Sequence, residues 1–257
     1  MHLLITNDDG YLADGILTLA RVAAQEGHSI LISAPLTEQS AMSHRLTLTR
    51  ALTARPVPCE YGDAYAIDGS PVDCMRIARY LSDKPFDFCL SGINNGENVG
   101  TGIYYSGTAA AARESAMNYL PSIAVSIEYG ATEEMRENVA KEALRMMAYL
   151  QENPMPRMTF CNINSPALPK ESIRGTRKAA ISHAFFTDGY IKRTNPRTNP
   201  YFWMETGAGQ EEAEEGSDLY WLKRGYVTVT FVGGFTDRND HYPGMPDSKS
   251  PRTKESQ

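Results

Sequence analysis

At 257 residues, with 42% hydrophobic and 22% charged positions, the chain has the composition of a globular protein and length enough for a sizeable core. A formal net charge of -6 excludes a general affinity for nucleic acid or anionic membrane, both of which need a basic surface, while leaving room for a nucleotide as a small ligand. The scattered cysteines Cys59, Cys74, Cys89 and Cys161 form no C-x-x-C pair, which excludes a cysteine zinc site and a disulfide scaffold, and with no leader or membrane-length apolar run the expected location is the cytoplasm.

The run His2-Leu3-Leu4-Ile5-Thr6 predicts a buried first strand of a parallel sheet, so Asn7-Asp8-Asp9-Gly10 falls at its carboxyl end, where open α/β sheets bind ligands. Adjacent carboxylates without a Lys or Arg beside them repel each other. A shared proton or a divalent cation relieves the repulsion; otherwise Asp-Asp-Gly is a solvated turn. Residues 15–26 carry apolar positions at helical spacing and stop at Gly27, and 29–33 form a second strand closed by Ala34-Pro35. The loop with Gln39 and Ser40 then leaves the same sheet edge as the two aspartates.

Alternation at 46–49 and at 65–67 predicts two further strands, with Pro56 and Pro58 breaking anything longer between them. Asp68-Gly69-Ser70-Pro71 is a turn into a helix over 71–81, where Asp73 is either a helix-start residue or a catalytic one. A core strand over 86–90 leads to a glycine- and asparagine-rich loop, 91–108, that contains Asn94 and Asn98. Ser106-Gly107-Thr108 opens an alanine-rich helix over 109–117; its amides and hydroxyls make either a phosphate site or an ordinary N-cap. No P-loop or dinucleotide fingerprint is present. A strand at 122–127, a helix at 132–150 and a strand at 158–163 complete the alternation of a doubly wound, mostly parallel α/β sheet.

Beyond residue 174 the pattern changes to short alternating stretches, 179–186, 201–205 and 226–232, which predict hairpins reaching out of the sheet and suited to a subunit interface. Residues 210–216 read as a solvated acidic loop and 217–226 as a short helix. The expected organisation is a core over 1–172, a hairpin-rich extension over 173–236 and a largely disordered polar tail over 237–257.

Asn7-Asp8-Asp9-Gly10, Ala34-Pro35 with Gln39-Ser40, Gly69-Ser70-Pro71-Val72-Asp73-Cys74, Ser91-Gly92-Ile93-Asn94 with Gly96 and Asn98, and Tyr105-Ser106-Gly107-Thr108 together resemble the SurE family, the survival-protein 5'-nucleotidases. The resemblance runs to about Phe235. It implies a Rossmann-like domain with a C-terminal hairpin extension, used in homodimers or homotetramers, with no nucleic acid polymer or membrane as partner. The implied activity is metal-dependent hydrolysis of nucleoside 5'-monophosphates, with 3'-nucleotides and short polyphosphate as further substrates. Carried over by motif, one Mg2+ or Mn2+ per subunit is held by Asp8, Asp9, the Ser40 hydroxyl and the Asn94 amide oxygen, an all-oxygen set suited to hard cations. Asn7, Asn98, Ser106, Gly107 and Thr108 hold the substrate phosphate, and Asp8 or Asp9 acts catalytically by orienting or deprotonating water.

The chain departs from the family pattern at Ala41 and at Asn195-Pro196-Arg197-Thr198, where the family carries Gly after the loop Ser and Asp-Pro-Arg-Gly. A haloacid-dehalogenase reading needs a carboxylate two positions beyond Asp8, where Gly10 stands. A receiver-domain reading needs a Lys after the fifth strand. The alternative from another class is a catalytically idle metal- and nucleotide-binding protein.

Overall fold

The first strand, β1 (His2–Thr6), is sandwiched between two helical layers because successive side chains point to opposite faces: Leu3 and Ile5 enter one apolar cluster and Leu4 another. The computed structural model describes residues 1–183, 189–205 and 213–233. Along the chain follow α1 (Asp14–Gln25), β2 (Ser29–Pro35), β3 (Ala54–Pro56), β4 (Asp63–Ile67), α2 (Pro71–Ala78), β5 (Phe88–Asn95), α3 (Gly102–Tyr105), α4 (Gly107–Met117), β6 (Ser122–Ile127), α5 (Glu133–Glu152), β7 (Thr159–Ser165) and β8 (Thr176–Lys178). Then come β9 (Gly189–Thr194), β10 (Pro200–Glu205), α6 (Asp218–Leu222) and β11 (Val227–Gly233).

A nine-stranded sheet has the order β3-β4-β2-β1-β5-β6-β7-β11-β8. The strands from β4 to β7 run parallel, β3 pairs antiparallel with β4, and β11 pairs antiparallel with β7. The chain moves outward from β1 in one direction through β2 and in the other through β5, so the switch point of the sheet lies between the carboxyl ends of β1 and β5. Helices α1 and α5 pack together on one face; α2 and α4 cover the other. Phe160, fully buried on β7, packs with Ile103, Ala109 and Ala112 and so supports α3 and the start of α4 from below. The described residues contain no helix long and apolar enough to cross a membrane.

Several sequence expectations change. Residues 46–49 form no strand: Thr47 donates its N–H and hydroxyl to Asp73, at 3.0 and 2.7 Å, which fixes the segment as a loop and leaves Leu48 exposed. Asp73 also completes a capping box with Ser70, so it is a helix-start residue and holds this loop. Strand β5 runs past residue 90 to Asn95, with a register shift between Ser91 and Asn94, so Asn94 sits on a strand end instead of in the loop.

Residues 226–232 were expected in a hairpin, whereas β11 returns to the main sheet and carries β8 on its outer edge. Residues 179–183 make only an isolated bridge between Ala180 and Ser217; 184–188, the first part of the acidic loop (210–212) and the expected tail lie outside the described residues. Glu214, from that loop, accepts hydrogen bonds from the Ser182 hydroxyl at 2.8 Å and the His183 N–H at 3.0 Å, so it is a structural anchor.

The separate β9–β10 hairpin leaves Tyr190, Ile191, Phe202, Trp203 and Met204 exposed. Its tip is tied by Asn195, whose Oδ1 accepts from the N–H groups of Arg197 and Asn199 at 2.9 and 3.0 Å. Nearer the sheet, Trp221 stands edge-on to Tyr220 and Tyr226 with the Arg177 guanidinium over its ring.

Because Phe160 is the large side chain beneath α3 and α4, Phe160→Ala is expected to lower the unfolding free energy by about 3–5 kcal/mol. Urea denaturation of the purified variant measures this.

Candidate active site

Asp8 leaves β1 directly at the switch point and is only 4% exposed. Its carboxylate accepts the Thr108 N–H at 3.0 Å on Oδ2 and the Thr108 hydroxyl on Oδ1. This requires the start of α4 to press against β1. At Gly107 a Cβ would lie 2.8 Å from that of Asp8, so only glycine lets the helix come this close. Asp9, half-buried, accepts the Asn95 N–H at 3.2 Å, which joins the ends of β1 and β5. Gly10 turns the chain away at a φ of 97°. Asn7 donates to the Gly10 carbonyl at 2.8 Å and so braces this turn, while its Oδ1 is buried without a partner.

The loop after β2 is tied to the same place, since the Gln39 N–H donates to the Asp8 carbonyl at 2.7 Å. Ser40, next along, donates its hydroxyl to Glu38 at 2.7 Å, leaving the lone pairs of its oxygen for another partner. Farther along the loop, the Ser43 N–H donates to the Tyr105 carbonyl at 2.9 Å. His44 sits 2.8 Å from Glu114, a buried carboxylate of α4 that also receives Arg76 at 2.7 Å and Asn118 at 2.9 Å. Burial opposes the ionised form of Glu114, but hydrogen bonds from His44, Asn118 and Arg76 outweigh it and hold its pKa below the usual range. Ala41 stands at a φ of 55° and Thr198, at the hairpin tip, at 64°. Both are left-handed conformations, which explains why the resembled family carries glycine at these two positions.

Asn94 donates to the Gly96 carbonyl at 2.7 Å, which orients its amide oxygen away from that bond. Asn98 lies farther along the edge, over β6 and β7, where its Nδ2 donates to Ser126 at 3.0 Å. Ser106 caps α4 by accepting the Ala109 N–H at 3.0 Å. Thr108 is fully buried behind Asp8 and spends both its amide and its hydroxyl there. The structure thus joins Asp8 to Thr108 and Asp9 to the end of β5, brings the Ser40 loop against Asp8, and places Asn98 on a separate footing. Glu38, the His44–Glu114–Arg76 group and the footing of Asn98 went unassigned in the sequence. Their one visible signal is the charged pair Arg113-Glu114 in the alanine-rich α4.

Among the described residues no cationic side chain forms an ion pair with Asp8 or Asp9. Burial pushes the Asp8 carboxyl up despite its bonds from Thr108. Burial first, then the charges of Asp8 and Glu38, push Asp9 up from 3.8 to about 6. Two crowded carboxylates with uncompensated charge, with the Gln39 and Asn95 backbone bonded against them, fit a hard divalent cation. No cluster of three or more His, Cys, Asp or Glu is gathered among the described residues.

Without a divalent cation, folded Asp9 binds a proton between pH 3.8 and about 6 that the unfolded chain has released, so its contribution to stability is lost as pH rises through this window. Asp9→Asn is expected to remove that part of the slope and to raise stability relative to wild type at pH 7. Urea unfolding of both proteins in EDTA from pH 4 to 7 provides the difference.

A family model described as Survival protein SurE matches residues 3–188. A curated 5'-nucleotidase SurE from Thermosipho africanus is 35% identical over 256 residues, covering 98% of this chain and 99% of the relative. One from Caldanaerobacter subterraneus subsp. tengcongensis is 37% identical over 231 residues, 89% of each. The crystal structure of the SurE protein from Aquifex aeolicus matches with a TM-score of 0.79 at 31% identity, covering 95% of this chain and 98% of that one. With the family model spanning most of the chain, and with the same fold and near full-length relatives, the chain belongs to the survival protein SurE family.

Proposed function

We propose that this chain is a metal-dependent 5'-nucleotidase, which hydrolyses nucleoside 5'-monophosphates to nucleoside and phosphate. The observation that carries the reading is the pair of carboxylates at the sheet's switch point, uncompensated by any cation among the described residues and pressed against the start of α4. The names of the curated relatives support the same activity.

Asp8, Asp9, Ser40 and Asn94 would hold one Mg2+ or Mn2+. When bound, the cation supplies polarisation of a phosphoryl oxygen and lowers the pKa of water. Asp8 is fixed by Thr108 on both its oxygens, so it serves as the positioned anion. Asp9 accepts a single backbone N–H and has an oxygen left over, which makes it the carboxylate to orient and deprotonate the attacking water. Ser106 accepts from Ala109 and keeps its own proton to donate to a phosphoryl oxygen, and Asn98 offers the second N–H of its amide. Asn7 acts through the turn at Gly10. The resemblance extends the reading to 3'-nucleotides and short polyphosphate as further substrates.

Subunits associate, on this reading, through the extension after residue 172. The β9–β10 hairpin supports this, since its aromatic side chains have no partner surface among the described residues.

Phosphate release from nucleoside 5'-monophosphates is expected to stop in EDTA, to return with Mg2+ or Mn2+, and to fall on the order of a hundredfold or more in Asp9→Asn. A wild type that binds metal and nucleotide but releases no phosphate makes the chain an idle binder. Replacing Phe202 and Trp203 together with Ser is expected to weaken self-association at least about tenfold, read as molar mass by light scattering across a dilution series. An unchanged mass excludes the hairpin as the interface.

A further inference from the structure

Asn98 rests on three fully buried polar side chains of the sheet. The Asn164 Oδ1 accepts the Asn98 N–H at 2.7 Å. The Asn98 carbonyl accepts from the Nδ2 groups of Asn162 at 2.9 Å and Asn164 at 3.2 Å, and Ser126 accepts from its side chain at 3.0 Å. Peptide N–H, peptide carbonyl and amide side chain are therefore each gripped, which fixes this loop residue as firmly as a residue within a strand.

The cost of this arrangement is visible. Ser126, Asn162 and Asn164 project from β6 and β7 into the layer where Ala124 and Phe160 make an ordinary apolar surface. The Asn162 Oδ1 and the hydroxyls of Thr228 and Thr230, cross-strand neighbours on β11, are buried without a partner. Apolar side chains at these positions would avoid that desolvation cost. Fold stability alone thus gives no reason for two asparagines here, whereas a fixed Asn98 does.

We propose that Asn162, Asn164 and Ser126 are positioning residues for the phosphoryl group, acting through Asn98, an inference that rests on the reading of Asn98 as a phosphate-binding residue. Asn162 and Asn164 hold its backbone, and Ser126 sets the direction of its amide, so that the second N–H of Nδ2 meets the phosphate already oriented. Such pre-set donors lose little freedom on binding, which is how a residue outside the site raises affinity inside it.

The probe is inorganic phosphate, titrated calorimetrically into the Mn2+-loaded full chain, with Mn2+ affinity measured separately by electron paramagnetic resonance. Asn98→Ala and Asn164→Ala are each expected to weaken phosphate about tenfold and to leave Mn2+ affinity within about twofold. Combined, they are expected to do no more than Asn98→Ala alone, because Asn164 then has no side-chain amide to position. Additive losses, or equal losses of phosphate and Mn2+, overturn the proposal in favour of general loosening. Loss in Asn98→Ala with none in Asn164→Ala overturns the positioning role while the phosphate reading stands. No loss in Asn98→Ala removes both. Should Asn164→Ala fail to fold, Ser126→Ala, which deletes one hydroxyl, carries the same cycle with Asn98→Ala.

Discussion

The buried carboxylate of Asp8 is the constraint on which the rest depends. A carboxylate so enclosed, with no cationic side chain in contact among the described residues, is held chiefly by the amide and hydroxyl of Thr108, with the backbone of Gly107 and of Asp8 itself adding to them. That requirement brings α4 onto the end of β1. It demands a glycine at position 107 and sets Ser106 as the helix cap beside the site. Asp9 is then left beside an existing negative charge, with one peptide N–H from β5 for support. The central pair of parallel strands and α4 are thus linked through two adjacent side chains, Asp8 and Asp9.

The loop after β2 shows how a segment without regular structure is held in register. Over residues 36–50 it has almost no secondary structure, yet it is fastened to Asp8 by Gln39, to Tyr105 by Ser43, to Glu114 by His44 and to Asp73 by Thr47. Two of these anchors are carboxylates whose pKa values stay low against the pull of burial, because several donors converge on each. The strained backbone at Ala41 is maintained by this fastening.

The central fold was legible because its signals are local: apolar runs such as 122–127, a cap at Ser70-Pro71 and the stop at Gly27 each act within a few residues. The switch point followed from the order of those runs, and with it the place of Asp8 and Asp9. Less local outcomes were misread. Alternation at 46–49 resembles a strand, but whether it pairs depends on Asp73, far along the chain. The direction and neighbour of β11 depend on the edge that β7 offers. Asn162 and Asn164 sit at strand period within Phe160-Cys161-Asn162-Ile163-Asn164, where polar residues ordinarily signal a solvated face; here they face a loop that covers them. Glu214 reads as one more solvent-facing charge until Ser182 and His183 are brought to it.

The chain contains two tryptophans, and the structure puts them in opposite circumstances. Trp203 stands on the hairpin with 64% of its surface in water, whereas Trp221 is half-buried against Tyr220, Tyr226 and Arg177 beside the sheet. Their emission spectra therefore respond to different events: the hairpin indole shifts to the blue when another surface covers it, and the half-buried one shifts to the red when the sheet comes apart. The protein carries its own pair of optical reporters, one for any surface that covers the hairpin and one for unfolding, and each can be isolated by replacing the other with phenylalanine.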